Sequence, residues 1–196
     1  MPNFGQIRLE TARLILRPLA SDDAASLFAI YSDPQVMRYW STPPWDCLEV
    51  AVATIAADLQ SMAEGVHVRL AIVARSTHDL IGTCSLFNIH ASSRRAELGY
   101  CLAREAWGRG YMHEALLALI GFGFSSLGLH RLEADIDPRN EASARSLERL
   151  GFVKEGHLRE RWIVNGEVSD SGLYGLLRRD WDPARRGDPT RSPASD

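Results

Sequence analysis

A strand-like run, Ala96 to Leu102, a glycine-bearing turn, Trp107-Gly108-Arg109-Gly110-Tyr111-Met112, and a long apolar helix pattern, His113 to Leu127, follow one another in the middle of the chain. Two glycines at this spacing let backbone N–H groups face a bound anion. The positive end of the helix dipole falls at the same place. The segment therefore reads as a diphosphate cradle. A plain tight strand-to-helix turn would use the same residues, and both readings stand on this stretch alone. A nucleotidase loop is excluded, because no Gly-Lys-Ser/Thr closes the turn. A dinucleotide fingerprint is excluded too: the third glycine is missing, and Met112 stands where a small residue belongs.

A second segment sharpens the first. Asp137-Pro138-Arg139-Asn140 ends a strand, His130 to Ile136, and Glu141 to Leu150 then reads as a helix closed by Gly151-Phe152. Asn140 suits a helix N-cap, and Gly151 suits the left-handed position beyond a helix end. Strand, cradle, helix, strand, an Asn-x-x-Ser helix and Leu-Gly-Phe, in this order, resemble the Gcn5-related N-acetyltransferases (GNAT). Glu10 to Leu19, with Asp33-Pro34-Gln35-Val36-Met37-Arg38-Tyr39, resembles the opening of the RimJ/RimL branch, whose members acetylate the N-termini of ribosomal proteins. Leu176 to Trp181 is similar to the last strand of that branch. The likeness covers residues 8–181.

Bulk properties fit. A chain of 196 residues with 45% hydrophobic and 24% charged residues suits one globular domain. The expected division is a domain over residues 1–181 and a disordered tail over 182–196, rich in Arg, Pro, Asp and Ser. A net charge of −3 argues against general nucleic-acid binding. Cys47, Cys84 and Cys101 are widely spaced and form no metal or disulfide pattern, so no metal is expected. With no visible secretory signal and no long apolar run, a cytoplasmic location away from the membrane is expected.

The hydrophobic pattern predicts a strand at Leu14 to Arg17, helices at Ala24 to Ser32 and Leu48 to Glu64, and a short helix opened by Pro34. Strands at 69–75, 81–88 and 96–102 form an antiparallel meander. Residues 152–162 and 168–177 form a hairpin across Asn165-Gly166. Joined to the resemblance, this gives an α/β fold: a GNAT-like mixed central sheet of about seven strands flanked by helices, with splayed parallel strands for CoA.

The resemblance also implies chemistry. The acetyl donor would be acetyl-CoA and the acceptor a primary amine, by direct attack in a ternary complex. The closest likeness favours a protein N-terminal α-amine. A small-molecule amine (amino acid, polyamine or aminoglycoside) and a catalytically silent CoA-binding module remain alternatives, and a homodimer is compatible with the fold. Pantetheine would lie between the strands ending near Leu102 and Ile136, touching backbone at Cys101 and Leu102. Trp107, Gly108, Arg109, Gly110, Tyr111 and Met112 would hold the diphosphate, with Arg145 adding positive charge. Asn140 matches the asparagine that bonds pantetheine, although a cap alone explains it equally. Ser143 matches the serine aimed at the thioester sulfur. Many relatives carry a tyrosine further along this helix as the acid for the thiolate, and here that position is Leu147. Glu97 resembles a general-base position, with an ordinary strand carboxylate paired to Arg95 as the alternative. Tyr39, Trp40 and Trp45 would line the acceptor side, or simply pack.

Overall fold

The computed structural model describes residues 3–182. Its strands are β1 (Leu9–Glu10), β2 (Leu14–Pro18), β3 (Val68–Ala74), β4 (Leu80–His90), β5 (Arg95–Leu102), β6 (Arg131–Ile136), β7 (Val153–Val164) and β8 (Glu167–Leu177). They form one sheet in the order β1-β2-β3-β4-β5-β6-β8-β7. Four helices flank it: α1 (Ala24–Tyr31), α2 (Leu48–Ala63), α3 (Tyr111–Ser125) and α4 (Glu141–Leu150).

Strand alternation sorts the core into two faces. Leu14, Leu16, Leu70, Ile72, Cys84, Leu86, Ala96, Leu98, Leu132 and Ala134 pack with Leu116, Leu119 and Ile120 of α3 and with Leu147 and Leu150 of α4. Intervening residues, Ala71, Val73 and Cys101, face Leu27, Ile30 and Tyr31 of α1 and Ala51 and Ile55 of α2. Both faces are therefore covered, and the sheet is the partition between two apolar layers.

The mixed α/β architecture matches expectation, with differences of detail that have local causes. The sheet has eight strands because Leu9 and Glu10 add a short edge against Leu16 and Ile15. Pro34 opens no helix. Met37 N–H reaches Asp33 O at 3.0 Å and Trp40 N–H reaches Met37 O at 3.0 Å, isolated turns that do not propagate. Helix α3 starts two residues early, at Tyr111, because Gly110 is its N-cap. The last strand stops at Leu177, opposite Arg131, where its neighbour begins, and residues 178–180 turn as a 3₁₀ helix. Asn165 and Gly166 have φ of 50° and 83°, as a primed hairpin turn requires. Apart from Asp182, the expected tail lies outside the described residues. Among the described residues, no helix is long and apolar enough to cross a membrane.

One polar contact ties the edge of the sheet to α3. Glu114 is buried in the first turn of that helix. Its Oε1 accepts from the Thr11 hydroxyl at 2.6 Å and from the Arg13 backbone N–H at 2.8 Å. Its Oε2 accepts from Arg13 Nε at 2.6 Å. Burial alone would push this carboxyl up, but the Thr11 and Arg13 bonds outweigh it and hold it below its ordinary value of 4.5. A carboxyl depressed in the folded state contributes stability that is present above its unfolded value and is lost as pH falls through the folded one. Glu114→Gln should therefore be less stable than the parent at pH 7, and the gap should narrow below pH 4.5. Urea denaturation at several pH values would measure it. A gap that does not vary with pH would mean that the carboxylate charge contributes nothing.

Candidate functional site

β5 and β6 run parallel but pair only through Arg95↔Arg131, Ala96↔Leu132 and Glu97↔Glu133. Beyond Glu97 the two strands part, while each continues to its end against its other neighbour. A cavity of about 560 Å³ occupies the opening. Thr83, Ser85, Glu97 and Gly99 line it from the α1/α2 face, and Tyr100, Asn140 and Ser143 line it from the α3/α4 face. The cavity thus passes through the sheet.

The glycine turn lies past the end of β5. Gly108 and Gly110 have φ of 72° and 76°, a left-handed conformation that side chains disfavour. A Cβ at Gly108 would meet nothing within 4 Å, and one at Gly110 would meet only Arg13 Nη2 at 3.5 Å. The glycines therefore serve backbone shape, and the space beside them is open. Arg13 braces the loop: Nη1 donates to Arg109 O at 2.9 Å, and the guanidinium lies 4.6 Å from the Tyr111 ring centre. In a trans peptide the carbonyl and the following N–H point in opposite directions. Anchoring Arg109 O on Arg13 turns the Gly110 N–H away from Arg13. Trp107 Nε1 donates to Leu102 O at 2.8 Å, joining the cradle to the strand end. Met112 sends its side chain onto the core, so its size is spent in packing. Open space, glycine backbone and the N-terminus of a 15-residue helix suit a diphosphate. Arg109 is exposed beside them. Arg145 lies on the surface of α4, paired with Glu141 at 3.0 Å and apart from the cavity wall.

Helix α4 carries the other candidates. Asn140 Oδ1 accepts from Ser143 N–H at 3.1 Å, a cap that leaves the Asn140 amide nitrogen unspent. Gly151, at φ 91°, ends the helix. The Ser143 hydroxyl lies 2.6 Å from that of Tyr100 on β5. Burial pushes the Tyr100 phenol up to about 12, with the Ser143 bond pulling the other way. Leu147 is fully buried. The sequence offers Tyr100 and Tyr111 as nearby hydroxyls without placing either; the structure puts that of Tyr100 against Ser143, on the α4 side of the strand with Leu98.

The α1/α2 side of the cavity is lined by Tyr39 and Trp40. Trp45 is placed differently. It stacks on Tyr31 at 4.6 Å and lies outside the cavity wall. Four carboxylates line the cavity: Asp58, Glu97, Asp135 and Asp137. Asp58 lies 3.1 Å from His67 Nε2 and 3.2 Å from Arg69 Nη1. Asp135 is paired with Arg161 at 3.1 Å and Asp137 with Arg139 at 2.6 Å. Glu97 alone has no cation within 4 Å among the described residues. Its Oε1 accepts from Asn88 Nδ2 at 3.0 Å, and Arg95 turns to Glu133 instead. The Asp58, His67 and Arg69 group had no signal in the sequence, because α2 and β3 meet only in the fold. Among the described residues, no group of His, Cys, Asp and Glu is arranged to hold a metal.

The chain has relatives among known proteins. A family model described as "Acetyltransferase (GNAT) domain" matches residues 13–153. The chain is 38% identical, over 88% of its length and 97% of the relative's, to the "Uncharacterized N-acetyltransferase p20" of Bacillus licheniformis. It is 30% identical to the [ribosomal protein uS5]-alanine N-acetyltransferase of Escherichia coli K12, over 93% of this chain and 97% of that one. In fold it superposes on RimJ of Mycobacterium smegmatis, solved with CoA-disulfide, with a TM-score of 0.85 at 23% identity, covering 95% of each chain.

Gly110→Asp places a side chain and a negative charge in the cradle, at a left-handed φ of 76° where glycine carries no Cβ penalty. Its affinity for CoA, measured by calorimetry, should fall about tenfold or more. Unchanged affinity in a folded variant would remove the diphosphate from this turn.

Proposed function

The chain belongs to the GNAT acetyltransferase family, and on that basis we propose that it acetylates protein N-terminal α-amines across the cavity between β5 and β6. It is an N-acetyltransferase, with acetyl-CoA as the acetyl donor. The observation that carries the finer reading is the cavity itself: hydroxyl and amide groups stand on its donor side, and an unneutralised carboxylate stands on its acceptor side. The bound donor supplies a thioester carbon open to attack by a neutral amine.

The protein's residues divide the remaining work. The 107–112 turn and the α3 N-terminus hold the diphosphate. The edge of β5 that has parted from β6, near Cys101 and Leu102, holds pantetheine with the Asn140 amide. Glu97 takes the proton from the amine, directly or through water, because it is the cavity carboxylate with no competing cation. Ser143 donates toward sulfur as charge develops there. Transfer is direct: burial pushes the thiols of Cys84 and Cys101 up to about 12, far from the thiolate that a cysteine nucleophile needs.

The α-amine acceptor draws support from the uS5-alanine relative and from an aromatic wall, Tyr39 and Trp40, suited to the first side chains of a peptide. A polyamine is the second reading. It is favoured by four carboxylates around one cavity and by a spermidine N(1)-acetyltransferase of Vibrio cholerae, 26% identical over 85% of this chain. Thiol release from acetyl-CoA with panels of short peptides and of polyamines separates the two. Preference for peptides with a free N-terminus supports the first, and preference for spermidine overturns it. Binding of CoA with no thiol release from any amine would support a silent module.

Ser143→Ala should slow kcat about ten- to a hundredfold with little change in acetyl-CoA affinity. Asn140→Ala should instead weaken acetyl-CoA binding and cost about 1 kcal/mol of stability through the lost cap. Identical profiles for the two variants would refute this division. Glu97→Gln should lower kcat/KM and flatten the acid limb of its pH profile, since the base assists only while ionised. An unaltered profile would return Glu97 to a structural role.

A further inference from the structure

We propose that Tyr100 is the proton source behind Ser143, donating its hydroxyl hydrogen to Ser143 Oγ and so turning the serine's own hydrogen toward the sulfur leaving acetyl-CoA. The inference rests on the acetyl-transfer reading above. Tyr100 leaves β5 beyond its last pair with β6 and lines the cavity beside Ser143. The two hydroxyl oxygens are 2.6 Å apart, and Tyr100 OH is 3.5 Å from Ser143 O. A phenol is a much stronger acid than an alkyl hydroxyl, so of these two the tyrosine is the donor. The Ser143 backbone N–H is already given to Asn140. The serine hydrogen is then the one left to give, and a hydroxyl that accepts from a phenol is polarised into a better donor. Tyr174 of β8 is the other ionisable side chain acting on this phenol.

The arrangement supplies what Leu147 takes away. Leu147 is fully buried and has no proton to give at the position where the resemblance implies a phenol on α4, and here a phenol comes from the strand opposite. Ser143 passes its proton to sulfur as the amine nitrogen bonds the acyl carbon and the C–S bond breaks. Ser143 then takes the Tyr100 proton, and Tyr100, briefly a phenolate, is reprotonated from solvent. The amine's proton leaves through Glu97. Amine and acetyl-CoA enter, amide and CoA thiol leave, and every proton is accounted for. Tyr100 touches neither reactant and is a positioning residue that acts through Ser143.

Tyr100→Phe keeps the ring in the core and removes only the hydroxyl. Its kcat should fall about tenfold with the KM for acetyl-CoA unchanged, and the Tyr100→Phe/Ser143→Ala double variant should be no slower than Ser143→Ala alone. A binding measurement needs no turnover. As pH rises from 7 to 10 and the CoA thiol ionises, the parent should gain affinity for CoA over desulfo-CoA by calorimetry, and both single variants should lose that gain. Should Tyr100→Phe fail to fold, 2,3-difluorotyrosine at position 100 should move the alkaline limb of kcat to lower pH. Parent-like kcat in Tyr100→Phe, or CoA preference lost in Ser143→Ala but kept in Tyr100→Phe, overturns the relay while leaving Ser143 in place. Absence of thiol release with every amine overturns the acetyl-transfer reading instead, and the desulfo-CoA comparison still decides whether the two hydroxyls act together.

Discussion

Two parallel strands that stop pairing after three residues govern most of this molecule. β5 and β6 share Arg95–Glu97 and Arg131–Glu133, then part. Leaving backbone groups unbonded in a buried place costs about 1–3 kcal/mol each. The opening persists because each strand is held firmly on its far side. β4 follows β5 from Leu102 back to Arg95, and β8 follows β6 from Arg131 to Ile136. The parted edges are thus fixed in place, open to a ligand that brings its own amides. The candidate site residues gather at this opening: the glycine turn lies past the end of β5, α4 follows β6, and Tyr39 and Trp40 stand opposite.

Charge around the opening is arranged by exclusion. Asp58, Asp135 and Asp137 each have an arginine within 4 Å, and Asp58 has His67 as well. Burial alone would push the Asp137 carboxyl up, but its bonds to Arg139 hold it below its ordinary value. Those three shape and stiffen the walls. Glu97 keeps only an amide partner, Asn88, which sits at a bulge in β4 with φ of 49°. The irregularity in the strand delivers the amide to the carboxylate.

The parts legible in the sequence were those set by local rules. Asn140 and Gly151 mark the ends of α4 because capping chemistry is a matter of a few neighbouring residues. Asn165-Gly166 marks the hairpin for the same reason, and period-two alternation gave both faces of the meander. The two-residue β1 carries no pattern of its own, and Pro34 starts a turn that only packing could extend into a helix. Tyr100 and Ser143 are 43 positions apart, and their contact follows from how α4 sits on β5. Trp45 shares its residue type with Trp40, but Tyr31 takes it as a stacking partner and hides it behind the wall. Pair contacts of this kind depend on tertiary placement, which one chain of letters does not spell out.

The clasp of Thr11 and Arg13 on Glu114 bears on how the chain is built as well as on how it stands. These residues are 103 and 101 positions apart, and Arg13 also holds a carbonyl of the glycine turn 96 positions away. During synthesis the earlier partners emerge well before the later ones and must wait, unpaired, for α3 to arrive. The turn carries its glycines in its own sequence, but its brace is borrowed from the opposite end of the sheet. A fragment that starts after Arg13 would hold every residue of the cradle and still lack the contact that fixes its orientation. The orientation of the glycine turn and the closing of the sheet edge onto α3 are therefore joined through a single arginine.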